Sequence, residues 1–524
     1  MRHLLLAVAL TTLLPAAAAA RTVAVEEQSI EQLQAAMTQG RASSEDLVRS
    51  YLRRIAAMDR RGPALHAVIA LNPDALAQAR ALDAERRAGH VRGPLHGVPI
   101  LVKDNIETAD AMPTTAGSLA LAANVTHRDA PVVAQLRAAG AVILGKTNLS
   151  EWANIRSDRA MSGWSAVGGL VRNPYALDRT ACGSSSGSGA AVAASFAAAA
   201  LGTETDGSVV CPSSINGLAG LKPSIGLVSR THVVPISHSQ DTPGPMARSV
   251  RDVALLFSAM VGADPADPAT AGAQPHDYVA GLSTSALSGL RVAVQRPEMS
   301  PDLAAAYDRA LAVLRAGGAE LVAVEAPKLD GIGAAEGIVL HTELHADLDA
   351  YLATTPPAVT ARTLDQVIAF DRAHAAAEMP FFAQETFEAA VRTRGLADAD
   401  YLAARARSLR MASEAIDGML ARAHATILVE PAYGPAWLTD PIQGDQYPGP
   451  SSSELPAIAG YPNLTVPMGL VRGLPVGLSF IATRNGEATV LGAGYAYEQR
   501  AQARVAPHYL PAVDVGAGME GHGR

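Results

Sequence analysis

Two stretches of this sequence carry residues that could attack a carbonyl, and one lysine could serve them as a base. The first stretch is Ala181-Cys-Gly-Ser-Ser-Ser-Gly-Ser-Gly-Ala190. Its small residues expose backbone N–H groups ahead of an Ala-rich run, which would suit a phosphate at a helix N-terminus. It lacks the Gly-Lys-Ser/Thr end of a P-loop and the strand–GxGxxG–helix setting of a dinucleotide site, which disfavours nucleotide binding. The second stretch is Gly202-Thr-Glu-Thr-Asp-Gly-Ser208-Val-Val-Cys-Pro212. Gly207 permits a sharp turn that aims successive N–H groups at one point, the geometry that stabilises a developing oxyanion. Ser208 would stand at the mouth of that turn. Taken alone, a Gly-Ser pair reads as an ordinary polar surface turn.

Two absences narrow the chemistry. No Gly-x-Ser-x-Gly elbow surrounds Ser208. No histidine stands beside either stretch, and the nearest, His232 and His238, have no local Asp to orient them. A nucleophilic serine here could instead use a lysine. Of 42 basic residues four are lysines: Lys103, Lys146, Lys222 and Lys328. Arg keeps its proton in proteins, whereas a buried Lys can lose it. Lys103 follows an apolar run, and its neighbour Asp104 should face the opposite side of a strand. Lys146 and Lys222 read as structural lysines near turns.

The elements that would position these residues follow from periodicity and punctuation. Ser43 can cap a helix with Asp46 at its third position, and Leu47, Val48, Tyr51, Leu52 and Ile55 share one face. Residues 66–71 suit a strand, and Asn72-Pro73 suits the start of a helix. Residues 98–102 read as a buried strand leading into Lys103. A helix from Pro131 to about Ala138, a stop at Gly140 and a strand over 141–144 follow. Residues 187–201 read as a buried small-residue helix. Strands at 290–294 and 321–324 flank a helix over 302–315, and 425–429 is a late strand. Residues 326–420 are mostly helical, and 431–463 read as long ordered loops that could line a cleft, with Trp437, Thr439, Asp440 and Tyr447 as candidates. This alternation predicts an α/β fold, its sheet covered by helices on both faces, in one large domain over 21–524.

The chain has 524 residues, 49% hydrophobic and 18% charged, with a net charge of −8. That composition excludes whole-chain disorder and coiled coil, and the negative charge argues against a nucleic-acid partner. Met1-Arg2-His3, an apolar run to Leu14 and small residues to Ala20 form a secretory leader, residues 1–20. The apolar run is too short to span a bilayer. The expected location is outside the cytoplasm, periplasmic or extracellular. The two cysteines, Cys182 and Cys211, exclude a disulfide scaffold. They could pair or remain buried thiols.

Gly97-Val-Pro-Ile-Leu-Val-Lys103-Asp-Asn-Ile106, the Gly/Ser stretch and the segment through Ser208 together resemble the amidase signature family. Gly145-Lys-Thr-Asn148, Gly220-Leu-Lys-Pro223, Asp241-Thr-Pro-Gly-Pro245 and Ala459-Gly-Tyr-Pro-Asn-Leu-Thr-Val-Pro467 extend the likeness over about residues 30–500. Glu204-Thr-Asp-Gly-Ser208, Cys182-Gly-Ser-Ser-Ser-Gly187 and Met379-Pro-Phe-Phe-Ala-Gln-Glu385 look like its peptide amidase branch. The resemblance implies the amidase signature fold, with a large mixed central sheet, and a Ser–cis-Ser–Lys triad. Carried over, Ser208 is the nucleophile, Ser184 the bridging serine on a cis peptide and Lys103 the base. Backbone N–H groups of Thr205, Asp206, Gly207 and Ser208 form the oxyanion hole. The Asp206 carboxylate should then point away from it. The resemblance implies no cofactor and no metal.

The function so implied is a hydrolase releasing ammonia from primary carboxamides, foremost the C-terminal amide of peptides. The alternative within the family is a broad acylamide, aryl-amide or ester hydrolase. The expected partner is a small-molecule or short peptide amide. No nucleic acid, no membrane insertion after leader removal and no obligate protein partner are implied. Intact Lys103, Ser184 and Ser208 argue against a non-catalytic binding protein, and the leader argues against a cytosolic tRNA-dependent role.

Overall fold

The computed structural model describes residues 23–513 except Pro448. The leader expected at 1–20 lies outside the described residues. Thirteen strands are present among those described: β1 (Val68–Leu71), β2 (Pro99–Lys103), β3 (Val142–Thr147), β4 (Trp164–Ser165), β5 (Gly169–Leu170), β6 (Ala199–Glu204), β7 (Ala219–Lys222), β8 (Thr242–Ala247), β9 (Arg291–Gln295), β10 (Glu320–Val324), β11 (Ile427–Pro431), β12 (Asn463–Val471) and β13 (Leu474–Ile481). Eleven form one sheet in the order β1-β3-β2-β6-β8-β7-β12-β13-β11-β9-β10, and β4 and β5 form a separate hairpin. β2 runs parallel to β3 and β6, while β6–β8 and β12–β13 are antiparallel. The sheet is therefore mixed, and helices flank it. The central strands β2, β3 and β6 are buried along their whole length.

Local sequence sets many of these boundaries. Ser43 caps the helix Ser44–Met58, and Asp46 returns a bond to the Ser43 backbone, closing a capping box. Pro131 opens the helix Pro131–Ala138 and Pro301 opens Pro301–Ala316, where a missing N–H costs nothing. Residues 325–426 contain helices and no strand.

Two expectations are corrected. The helix expected to begin at Asn72-Pro73 begins at Ala75, with Asp74 as its cap residue. Asn72 is spent elsewhere: its amide donates to Ile143 O at 2.7 Å and to Asp110 at 3.0 Å. The expected helix over 187–201 is the helix Ser186–Ala193 followed by strand β6 from Ala199. The alanines favour a helix locally, yet burial between β2 and β8 decides for strand.

Candidate active site

The site forms where β2 and β6 end side by side. Their parallel register pairs Val102 with Leu201, so both carboxyl ends open at one edge of the sheet. In open α/β sheets, ligands bind at that edge. Lys103 is the last residue of β2 and is fully buried. Its Nζ donates to Ser184 Oγ at 2.7 Å, to Thr203 Oγ1 at 2.8 Å and to Thr203 O at 3.2 Å. These acceptors are all uncharged. Asp104, in the turn that follows β2, faces away and lies 3.6 Å from Lys146. Burial lowers the Lys103 amine to about 7, while the fields of Asp241 and Glu204 oppose that fall.

Ser184 follows Gly183 across a cis peptide bond and sits just before the helix Ser186–Ala193. Ser188 anchors that helix to the sheet, donating to Leu201 O at 2.8 Å. Gly187 lets the helix come close: a Cβ there would stand 2.4 Å from both Ala67 O and Asn148 O. Ser185 Oγ bridges the Thr203 carbonyl at 3.1 Å and the Thr203 N–H at 3.2 Å. The Ser185 N–H donates to Ser208 O at 3.2 Å, which ties the two serine loops together.

Ser208 sits in the turn between β6 and the helix Val210–Ile215, and 8% of it is exposed. Glu204 builds that turn. Its Oε2 accepts from the N–H groups of Val209 at 2.7 Å and Val210 at 2.9 Å, and the Gly207 N–H is turned toward the same carboxylate. Gly207 adopts φ 79°, open to glycine at little cost. The Asp206 carboxyl interacts with Ser453, and burial together with the Glu204 and Glu454 charges raises it. Thr205 donates its hydroxyl to Asp241 at 2.6 Å.

A buried amine on a serine, and a second serine loop tied to the first, describe a Ser-based hydrolase. The Amidase family profile matches residues 46–491. The chain belongs to the amidase family. A probable amidase of Arabidopsis thaliana is 39% identical over 502 residues, covering 93% of each chain. The solved peptide amidase of Stenotrophomonas maltophilia is 49% identical, covers 92% of this chain and 99% of its own, and superposes with a TM-score of 0.88. A peptide amidase solved with the competitive inhibitor chymostatin gives 49% identity and a TM-score of 0.90 over the same shares. The amidase signature fold expected from the sequence is thereby established.

In this amidase His238 has an Asp partner that is distant in sequence, where no local one was expected. Asp347, from the distant helix Ile332–Leu352, lies 2.9 Å from its Nδ1, and Glu343 lies 3.3 Å from its Nε2. Both ring nitrogens are occupied, and the carboxylates raise its pKa, so His238 is poorly suited to take a proton from a serine. Lys146 and Lys222 lie close to the carboxyl ends of β3 and β7. Lys146 donates to Ile106 O at 2.6 Å and Thr114 Oγ1 at 2.8 Å, besides facing Asp104. Cys182 and Cys211, left open by the sequence, form a disulfide.

Thr203 was not singled out from the sequence. No local motif marks it, because its contact with Lys103 depends on the pairing of β2 with β6. Tyr433 was missed likewise. Its hydroxyl lies 2.7 Å from Ser453 Oγ and packs over Gly207. Trp437 and Tyr447, expected in a cleft loop, pack with their ring centroids 5.3 Å apart. Tyr447 in turn lies 5.4 Å from the Tyr433 ring, so this loop backs the turn at Gly207. Thr439 is held by its N–H to Asp178 O at 3.1 Å, and Asp440 caps its own turn by accepting from Ile442 N at 2.8 Å.

Proposed function

We propose that this amidase removes the C-terminal amide from peptides through an acyl-enzyme on Ser208. Neutral Lys103 takes the Ser184 proton as Ser184 takes the Ser208 proton, and Ser208 Oγ attacks the carboxamide carbon. Backbone N–H groups of Thr205, Asp206 and Ser208 receive the oxyanion, while the Gly207 N–H meets the Glu204 carboxylate. Ser184 then protonates the leaving nitrogen and ammonia departs. Water, activated by the same relay, hydrolyses the ester and frees the carboxylate. A hydroxyl relay can serve both the nucleophile and the leaving group without a mobile imidazole.

The observation that carries this reading is the 2.7 Å contact between a fully buried Lys103 amine and Ser184 Oγ. Burial favours the neutral amine, which a base must be. The peptide substrate is supported by 49% identity to solved peptide amidases. An exported location is supported by the leader-like text of residues 1–20. Among the described residues no helix is long and apolar enough to cross a membrane.

The test compares ammonia release from amidated dipeptides, simple aliphatic amides and aryl amides, with Ser208→Ala alongside. Peptide amides should be turned over at least tenfold more efficiently than the others. A fluorophosphonate should label the natural chain and leave Ser208→Ala unlabelled. Equal turnover across the panel would favour the broad amide and ester hydrolase. A labelled or active Ser208→Ala chain would end the serine assignment.

A further inference from the structure

The chain's two cysteines are spent on one bond, and that bond joins the two serine loops. Cys182 precedes Ser184 by two positions, and Cys211 follows Ser208 by three. The pair is separated by 29 residues in sequence, with Cα atoms 6.0 Å apart, and both side chains are buried. Cys182 adopts φ 56°, a conformation that side-chain-bearing residues rarely take and glycine takes freely. Its backbone is held there by the Cys182 N–H to Thr180 Oγ1 at 3.0 Å and by Ser186 Oγ donating to Cys182 O at 2.5 Å. The side chain at that position is bonded to Cys211. On the other side, the Cys211 N–H donates to Gly207 O at 2.8 Å, so the bond pulls directly on the turn that carries Ser208. Besides this bond, the Ser185 N–H to Ser208 O contact at 3.2 Å joins the same two loops.

We infer that Cys182 and Cys211 are positioning residues: their disulfide fixes the loop of Ser184 relative to the loop of Ser208, and the amidase reaches full turnover only after oxidation. This rests on the triad reading proposed above. Two thiols give up two electrons and two protons to a disulfide oxidant, which is released as two thiols, and the Sγ–Sγ bond forms. A chain folded under reducing conditions would keep its fold, its substrate cleft and its buried Lys103. It would lose the fixed spacing of the two serine loops, and a misplacement of about 1 Å can cost about 100-fold in rate.

Two double variants test this: Cys182→Ser with Cys211→Ser, and Cys182→Gly with Cys211→Ser. In both, kcat for an amidated dipeptide should fall about 10- to 100-fold, while KM stays within about twofold and the acid limb of the pH profile keeps its midpoint. The glycine variant relieves the backbone at position 182, so its melting temperature should exceed that of the serine variant while its kcat stays low. Recovery of kcat together with stability in the glycine variant would overturn the inference, as would natural kcat in both variants. Should neither variant fold, the natural chain is purified reduced and treated with glutathione disulfide. Activity should then return with the same time course as the loss of two titratable thiols. Activity that ignores thiol content would also overturn it. Failure of the triad reading shows separately, as turnover by Ser208→Ala.

Discussion

Lys103 donates to Ser184 at 2.7 Å, whereas the adjacent Asp104 is turned to Lys146 at 3.6 Å. The turn out of β2 therefore sends an amine to one side and its would-be counter-ion to the other. Without a carboxylate in contact, burial dominates and lowers Lys103 to about 7. The protonated form prevails below that pH and cannot accept a proton. Amide turnover should then fall about tenfold per pH unit below about 7 and level off above it. A pH–rate profile of kcat/KM checks this, and a rate flat from pH 5.5 to 8 would contradict it. Lys103→Arg, which stays charged throughout, should be inactive across the range.

Thr203 shapes the same limb. Its Oγ1 accepts from Lys103 at 2.8 Å and from the Asn105 amide at 2.9 Å. Thr203→Val keeps the shape and removes the acceptor. The ammonium form loses more than the neutral amine does, so the Lys103 pKa should fall further. Hydrogen bonds to buried charged groups are worth about 1.5–3 kcal/mol, and one pH unit corresponds to about 1.4 kcal/mol. The acid limb should move down by about one unit, while the stranded Asn105 amide lowers the melting temperature. An unmoved or raised limb would show that Thr203 does not set the base.

The contrast between Lys103 and Thr203 shows what the sequence could convey. Lys103 stood out because it closes an apolar strand in a chain that writes nearly all its positive charge as Arg. Ser43 and Asp46 marked their helix through a cap whose partners lie within one turn. Thr203 depends on which strand lies beside β2, a long-range pairing that no local pattern encodes. His238 finds its carboxylates on a helix more than 100 positions later, which is why it looked unpartnered. The run from Ala190 to Leu201 misled for a related reason. Alanine suits a helix, and the switch to strand at Ala199 is decided by the neighbours β2 and β8. The disulfide likewise needed the two serine loops to be brought together in space.

Gly207 offers the most local test of the oxyanion turn. Its φ is 79°, and an added Cβ would stand 2.3 Å from the Tyr433 hydroxyl and 3.0 Å from Ser453 Oγ. Gly207→Ala therefore meets two obstacles, a left-handed backbone costing about 1–2 kcal/mol and a collision with Tyr433. The turn must shift, and its N–H groups leave the point where charge develops. A misaligned donor of this kind costs about 100- to 1000-fold in kcat. Tyr433→Phe alone removes the bond to Ser453 and should lower stability by about 1 kcal/mol, with kcat close to natural. Combined with Gly207→Ala, it removes the atom struck but leaves the backbone strain. The double variant should accordingly recover part of the lost kcat, and its melting temperature should rise above that of Gly207→Ala. Tyr433 is itself packed against Tyr447, so a rescue would also show that this loop presses on the turn from behind. If the double variant is no faster than Gly207→Ala, the collision with the Tyr433 hydroxyl is not what disables the turn, and the backbone angle together with the Ser453 contact carries the effect.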